Sequence, residues 1–246
     1  MAVLELRQYI LAPGRRDELI DLFEAELLAP QEQLGMEILG TFRDLEDEQR
    51  FVWIRSFADM ARRASSLAAF YGGPVWRRHR DAANATMIES DNVLLLRPAW
   101  PGSSFSPLAP PGSDRAERTA IQVGIVPLCK PVDDGGLTYF VDEIEPLVKR
   151  AGATMLACLV SEHAVNSFPA LPVREGENVL VWFAGLPGLD PSSAVHGLPS
   201  IKPAARAWPG IAGEPEIRIL APTRHSRLTG SCDTRFTSLR LAPSSA

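Results

Sequence analysis

The chain has 246 residues, of which 46% are hydrophobic, enough for two domains with ordinary cores. A net charge of −5 and a pI near 5.5 argue against a partner that is nucleic acid or a membrane surface, because proteins that bind these present a basic face. The N-terminus reaches charged residues too early for a signal peptide, and no uncharged apolar run is long enough to span a bilayer. We therefore expect a cytoplasmic protein.

The sequence lacks the usual motifs for cofactors and metals. Its three cysteines, Cys129, Cys158 and Cys232, lie far apart and form no CxxC pair, so neither a zinc ribbon nor a disulfide framework is predicted. There is no GxGxxG, GxSxG or HExxH pattern. We expect no cofactor and no metal.

The first 98 residues read in the order strand, helix, strand, strand, helix, strand. Val3–Leu11 alternates between apolar and polar residues and is typical of a strand. An apolar stripe at helical spacing predicts a helix over Arg15–Leu28, with Pro30 beyond its end. The other predicted elements are strands at Met36–Arg43 and Arg50–Phe57, a helix after the N-cap Asp59, a short helix from Pro74 to Asn84, and a strand at Thr86–Arg97. This order predicts a ferredoxin-like plait, an antiparallel sheet with helices on one face.

The rest of the chain divides into three parts. Residues 99–117 are rich in Pro, Ser and Gly and are predicted to be a linker. Residues 118–222 repeat the order of elements in a degenerate second plait, and residues 223–246 lack periodicity and are predicted to be a loose tail. The fold class is therefore α+β, with two tandem ferredoxin-like repeats, residues 1–98 and 118–222, whose antiparallel sheets pair into an α/β barrel.

Three short segments recur in the same order in both halves, which supports the repeat. The matched pairs are Leu34-Gly-Met-Glu-Ile-Leu-Gly with Ala151-Gly-Ala-Thr-Met-Leu-Ala, Val52-Trp-Ile-Arg-Ser-Phe with Val181-Trp-Phe-Ala-Gly-Leu, and Leu95-Leu-Arg-Pro with Ile219-Leu-Ala-Pro. A homodimer of two-repeat chains is left open, because ferredoxin-like sheets often leave free edge strands.

One face of the first predicted sheet carries unusual residues. The side chains taken to alternate away from the helices are Glu5, Arg7, Tyr9, Glu37, Leu39, Thr41, Arg43, Phe51, Trp53, Arg55 and Phe57. A looser match of the first strands places Glu5, Arg7 and Tyr9 opposite Thr119, Ile121 and Val123. We expect a barrel cavity whose polar groups come from the first half and whose apolar wall comes from the second. The alternative, a purely structural ion-pair network of Glu5, Arg7, Glu37 and Arg55, stays open.

The segment after the second predicted helix is the most distinctive in the chain. Helical spacing stacks Trp76, His79 and Arg80 on one face, and Asn84 lies where this helix ends. Such a set can bind an anion or an aromatic ring, or move a proton. A core tryptophan beside a hydrogen-bonded histidine is the simpler interpretation. The second half has no counterpart of this segment.

Several motifs together resemble bacterial proteins of the NIPSNAP family. They are Leu6-Arg-Gln-Tyr, Pro13-Gly, Phe51-Val-Trp-Ile-Arg-Ser-Phe and Phe70-Tyr-Gly-Gly-Pro-Val-Trp-Arg-Arg-His-Arg-Asp-Ala-Ala-Asn. The resemblance is specific over residues 1–99 and weak over residues 119–222. It implies the dimeric α/β-barrel superfamily, which includes cofactor-free monooxygenases, cyclases, isomerases and haem-dependent relatives. The family has no agreed activity, so the resemblance supplies no catalytic residue.

Three functions are compatible with these observations. The first is a cofactor-independent enzyme of the monooxygenase, cyclase or isomerase type that acts on a small aromatic or polyketide-like molecule by acid/base chemistry. Its predicted catalytic residues are Glu37, Tyr9 and His79, and its predicted substrate-binding residues are Arg7, Trp53, Arg55, Trp76, Arg80 and Asn84. The second is a non-catalytic binding or interaction module with a closed interior. The third is a haem-binding barrel with His79 or His163 as the axial ligand.

Overall fold

The structure is a computed structural model that describes residues 1–105, 119–186, 201–229 and 236–239. The strands in this part of the chain are β1 Val3–Leu11, β2 Glu37–Asp44, β3 Arg50–Phe57, β4 Met87–Glu89, β5 Val93–Pro98, β6 Ala120–Pro127, β7 Thr154–Ser161, β8 Val179–Leu186 and β9 Glu216–Pro222. The helices are α1 Arg16–Leu22, α2 Leu28–Gln33, α3 Met60–Tyr71, α4 Pro74–Asn84, α5 Asp134–Tyr139, α6 Glu145–Arg150 and α7 Lys202–Arg206. Two π-helical segments, Phe23–Leu27 and Phe140–Ile144, join α1 to α2 and α5 to α6.

Eight of the strands close into one antiparallel barrel. Its order is β1–β3–β2–β9–β6–β8–β7–β5, and β5 pairs with β1 to complete the circle. Each half contributes four neighbouring strands in the ferredoxin-like order, so the predicted fold class is confirmed. The halves are joined at two seams, where β2 pairs with β9 and β5 pairs with β7.

The ninth strand, β4, lies outside this circle. It pairs with the end of β1, where Leu11 faces Met87. The sequence predicts a single strand over Thr86–Arg97, but this stretch forms β4 and β5, both of which pair with β1. Within the described residues, β4 is the strand at the free edge of the sheet.

The barrel interior is filled with apolar side chains from both halves. Every barrel strand contributes at least one, including Leu6, Phe42, Ile54, Leu96, Val123, Leu159, Val181 and Leu220. All of these side chains are almost completely buried. The expectation of a cavity inside the barrel, lined by charges of the first half, is therefore wrong.

Helices of each half cover the outer face of that half's strands. The predicted helix over Arg15–Leu28 extends to Gln33, and Pro30 lies in the first turn of α2 instead of beyond the helix. The π-helical segment explains this difference, because its wider turn resets the hydrogen-bond register, and a proline is tolerated where its missing N–H is not needed. The second half repeats the arrangement, with Pro146 in the first turn of α6, which follows its own π-helical segment.

The predicted loose tail does not hold for residues 223–229, which pack along β2. The Leu228 amide donates to the carbonyl of Leu39 at 2.9 Å, and the side chain of Leu228 is fully buried among the barrel residues. Glu24, in the first π-helical segment, accepts hydrogen bonds from the Thr223 hydroxyl and the His225 amide. Residues 230–235 and 240–246 of the predicted tail, and 106–117 of the predicted linker, lie outside the described residues.

Trp182 occupies the space directly above Gly124 on the outer face of the second half. The two residues face each other in the β6–β8 ladder. A β-carbon on Gly124 would lie 2.0 Å from Cζ2 of Trp182, much closer than any real contact. The fully buried indole therefore requires a glycine at this position.

We predict that Gly124→Ala destabilises the protein by about 3 kcal/mol, because overpacking a closed core forces the indole or the strand to shift. Gly213→Ala is the matched control, since its β-carbon meets only Pro127 Cγ at 3.4 Å. Urea unfolding followed by tryptophan fluorescence measures both changes. Equal stability of the two variants would contradict the prediction.

Candidate functional site

The charged residues of β1 and β3 lie under the helices of the first half. Leu4 and Leu6 point into the barrel, whereas Glu5, Arg7 and Tyr9 point to the opposite face, toward α2 and α3. The alternation along the strand is thus as predicted, but the polar face is the one covered by helices. This corrects the expectation that these side chains line a space between the two sheets.

Glu5 is the centre of a buried ion cluster. Its Oε2 accepts hydrogen bonds from Arg7 Nη1 at 2.9 Å and from Arg55 Nε at 2.8 Å. Its Oε1 accepts from Arg63 Nε at 2.6 Å. None of these four side chains is exposed to solvent. The structural ion-pair network therefore exists, with Arg63 as a member and without Glu37.

The cluster holds three positive charges against one negative charge. Burial alone would raise the pKa of Glu5, but the surrounding Arg55, Arg7 and Arg63 outweigh it and lower that pKa from 4.5 to about 2. Burial lowers the pKa of Arg63, whereas the pKa of Arg7 is raised because Tyr9 and Glu5 outweigh the effect of its burial. Glu5 therefore stays ionised at any physiological pH and is no proton carrier.

Polar groups from two further elements support the arginines. Arg55 Nη1 donates to Gln31 Oε1 of α2 at 2.7 Å, and Gln31 in turn donates to the carbonyl of Leu27. Arg63 Nη1 donates to Asn166 Oδ1 at 2.9 Å and to Ser167 Oγ at 3.1 Å. Asn166 and Ser167 belong to the long β7–β8 loop of the second half, so both halves build this cluster.

An aromatic pocket lies beside the cluster, between the sheet and the helices. Its lining comprises Tyr9, Leu19, Phe23, Leu27, Gln31, Trp53, Phe70, Tyr71, Trp76 and Met87. The Tyr9 and Trp53 rings form its floor on β1 and β3, with centroids 6.0 Å apart. The Arg7 guanidinium carbon lies 5.4 Å and 5.5 Å from these two ring centroids, within cation–π range.

The pocket is nearly closed in this structure. Its volume is about 30 Å³, room for one or two water molecules. Trp76 of α4 packs against Phe70 and Tyr71, and Phe168 of the β7–β8 loop stacks on Tyr71. Helix α4 is held loosely by comparison, because Ala83 is the one residue of this helix that is fully buried. A ring-sized ligand therefore requires α4 to move outward.

The structure separates the residues that the sequence proposed for the site. Tyr9, Trp53 and Trp76 line the pocket, and Arg7 and Arg55 lie in the ion cluster. Four others are elsewhere: Glu37 is exposed at the start of β2 near Ser56, His79 faces Glu26 at 3.5 Å, Arg80 is exposed beside Asp81, and Asn84 is exposed at the end of α4. The expectation that Glu37 faces a cavity is wrong, because β2 begins at the open rim of the barrel.

Sequence reasoning missed Arg63 and Gln31. Arg63 lies on the buried face of α3, four and seven residues before the buried Leu67 and Phe70. An arginine on the apolar face of a helix is unusual, and a buried glutamate on the strand below it would have predicted an ion pair between the two. Gln31 had no such signal, because the π-helical segment that extends this helix to Gln33 shows no sequence pattern.

The corresponding place in the second half is solid core. Pairing in the two ladders matches Glu5, Arg7 and Arg55 with Gln122, Gly124 and Ala184. The looser sequence match of Glu5 and Arg7 with Thr119 and Ile121 is therefore three residues out of register, and an odd shift exchanges the two faces of a strand. Trp182 fills the space that the Arg7 guanidinium occupies in the first half.

Other features of the described residues offer no comparable site. No group of three or more His, Cys, Asp or Glu side chains there is placed to hold a metal. His163, a candidate haem ligand, lines a surface groove of about 230 Å³ with Glu162 and Arg174, and the filled barrel leaves no interior for a porphyrin. In the same ranges, no helix combines the length and the apolar character needed to cross a bilayer.

The fold is shared with solved structures across nearly the whole chain. An anthrone oxidase-like protein is 14% identical with a TM-score of 0.53, over 94% of this chain and 97% of that one. A candidate monooxygenase from Fusobacterium nucleatum is 8% identical with a TM-score of 0.52, over 90% and 92%. At such identities the likeness shows the fold alone. The shared fold is the antiparallel barrel built from two ferredoxin-like repeats.

The first half carries the family assignment. Residues 4–106 match the NIPSNAP family model, which confirms the resemblance that the motifs predict. A NIPSNAP-like domain protein from Burkholderia xenovorans is 27% identical, over 45% of this chain and 92% of that one, with a TM-score of 0.38. No curated protein sequence matches the chain significantly.

We predict that Glu5→Gln destabilises the protein by about 3 to 5 kcal/mol, because it leaves three buried guanidiniums without a counter-charge. Glu37→Gln removes an exposed carboxylate from the same sheet and should change stability by less than about 0.5 kcal/mol. Urea unfolding at neutral pH measures both variants. A small loss of stability in Glu5→Gln would contradict the prediction and show that another group balances the charge of the three arginines.

The stability difference between the native chain and Glu5→Gln should also depend on pH. The folded pKa of Glu5 lies below its ordinary value, so its contribution is fully present above pH 4.5 and is lost as the pH falls toward 2. The difference should therefore shrink by about 3 kcal/mol in all, of which about 2 kcal/mol falls between pH 4.5 and 3. Urea midpoints between pH 6 and 3 measure it, and a constant difference would contradict the assignment.

Proposed function

We propose that the NIPSNAP half binds a small planar aromatic molecule between its sheet and its helices and acts on it without a cofactor. The observation that carries this proposal is the aromatic pocket above the buried Arg7. Six rings surround a void on one half only, while the equivalent place on the other half is packed with Trp182. Aromatic walls with a few fixed polar groups are the usual composition of a small-molecule site.

Tyr9 is the residue best placed to act on such a molecule. Its hydroxyl oxygen accepts a hydrogen bond from Arg7 Nε at 2.8 Å, so the hydroxyl proton remains free to be donated. Burial raises the pKa of Tyr9 more than Arg7 lowers it, which keeps the phenol protonated. Tyr9 can then hydrogen-bond a carbonyl oxygen that becomes an enolate, and Arg7 stabilises the developing charge from below.

The substrate must supply its own acidity. Glu5 is paired to three arginines, and Glu37 and His79 lie outside the pocket, so none of the described residues offers a carboxylate or imidazole as a base there. A molecule such as anthrone fits this limit, because a hydrogen bond to its carbonyl oxygen promotes loss to water of a proton from the methylene carbon on the opposite side of the central ring, which gives the conjugated enolate. The anthrone oxidase-like protein with the same fold motivates this choice of test compound.

The test reaction is the aerobic oxidation of anthrone. One anthrone and one O₂ give one anthraquinone and one water, which balances both atoms and electrons. We predict that the native chain accelerates this conversion over buffer and that Tyr9→Phe lowers the rate at least tenfold, because the proton donor to the oxyanion is lost. Anthraquinone absorbance and oxygen uptake measure the rate.

Tyr139→Phe provides the control, since it deletes a tyrosine hydroxyl bonded to the Ala204 carbonyl in the second half. It should leave the rate unchanged. Equal rates for the native chain and buffer would exclude anthrone oxidation, and equal rates for native chain and Tyr9→Phe would remove Tyr9 from the chemistry.

A non-catalytic binding module is the second candidate. The filled barrel interior favours it, because a closed interior was the feature expected of such a module. Here the same pocket binds the aromatic molecule and no turnover follows. Binding of anthraquinone measured by tryptophan quenching, with no oxidation of anthrone, would select this candidate.

A further inference from the structure

We propose that the floor of the aromatic pocket is an anion subsite, in which unpaired N–H groups of Arg7 and Trp53 bind the carboxylate or enolate oxygen of a small organic monoanion. This inference refines the proposed function, because it names the charge of the ligand. It also stands on its own evidence, since a small anion without a ring can occupy the subsite.

The first observation is the imbalance of buried charge. Arg7, Arg55 and Arg63 share a single carboxylate, Glu5, and all four are sealed from solvent. An uncompensated buried charge is expensive, so a bound anion that supplied the opposite charge would stabilise this cluster. The described surroundings of the cluster add neutral acceptors, Gln31, Asn166 and Ser167, but no second carboxylate.

The second observation is a set of buried donors that lack acceptors. Arg7 Nη2, Arg63 Nη2 and Trp53 Nε1 find no hydrogen-bond acceptor among the residues that the structure describes. Buried N–H groups are almost always paired, so these donors require an acceptor other than the residues that the structure describes. Arg7 and Trp53 are neighbours in the β1–β3 ladder, and Trp53 lines the pocket. The Arg7 guanidinium lies directly behind the pocket, against the Tyr9 and Trp53 rings that form its floor.

The size of the pocket fixes which anions test the idea. Formate is the smallest carboxylate and the one nearest in size to a void of about 30 Å³. Benzoate carries the same carboxylate on a ring and needs α4 to open. Formamide and benzamide have nearly the same shapes without the charge, so each pair isolates the contribution of the anion.

Thermal unfolding and calorimetric titration of the full chain measure binding, with sodium gluconate as background salt because its anion is too large for the pocket. We expect formate and benzoate to raise the melting temperature and formamide and benzamide not to. Trp53→Phe keeps the aromatic floor but removes its donor, so it should weaken formate binding roughly tenfold. Trp182→Phe, the equivalent change in the second half, should leave binding unchanged.

Arg7→Met gives a second, independent readout. A purely structural arginine would cost stability when lost. If Arg7 is instead kept for the ligand, its removal still leaves Glu5 paired to Arg55 and Arg63. The Arg7→Met variant should then fold with a similar melting temperature and lose the response to formate. A large loss of stability with an unchanged formate response would overturn the proposal.

The ligand pairs separate this inference from the proposed function. If benzoate and benzamide raise the melting temperature equally and formate does not, the anion subsite is refuted and the aromatic site is still supported. A response to formate alone would support the subsite and refute the aromatic ligand. No response to either anion overturns the subsite outright.

Discussion

The carboxylate of Glu5 is the interaction on which the first half depends. It draws β1, β3 and α3 together, because each contributes one of the three arginines that it accepts from. Through Arg63 the same carboxylate reaches the β7–β8 loop of the second half. A single buried charge therefore links the sheet, its helical cover and the other half of the barrel. Its low pKa is a consequence of these contacts and keeps them intact across physiological pH.

The two halves show what the same plait becomes with and without this charge. Both carry a buried tryptophan at the same place on the third strand, Trp53 and Trp182. Where the opposing residue is Arg7, the indole lies beside a guanidinium and a void remains above it. Where it is Gly124, the indole lies flat over the backbone and the layer is solid. The residue that faces this tryptophan in the ladder, arginine or glycine, thus decides whether a pocket or a packed core lies above the sheet.

The sequence predicted the architecture well because it rests on periodic patterns. The alternation of Val3–Leu11, the repeated Val-Trp motif and the order of elements all agree with the structure. The orientation of the first sheet was wrong because both of its faces are buried, one in the barrel and one under helices, and alternation alone does not tell them apart. Gln31 entered the site through tertiary packing that no local pattern of the chain encodes, whereas the position of Arg63 on the apolar face of α3 was visible in the sequence.

Fusing the two plaits in one chain has a consequence for how such a barrel can specialise. In a pair of identical subunits, any lengthened loop would appear twice and would cover both sites alike. Here the long loop after β7 has as its counterpart only the tight turn between β2 and β3, and it lends Asn166, Ser167 and Phe168 to the opposite half alone. Because the two halves are parts of one chain, their sequences can differ. One half can therefore supply a loop that covers the pocket, while the other half forms the pocket itself.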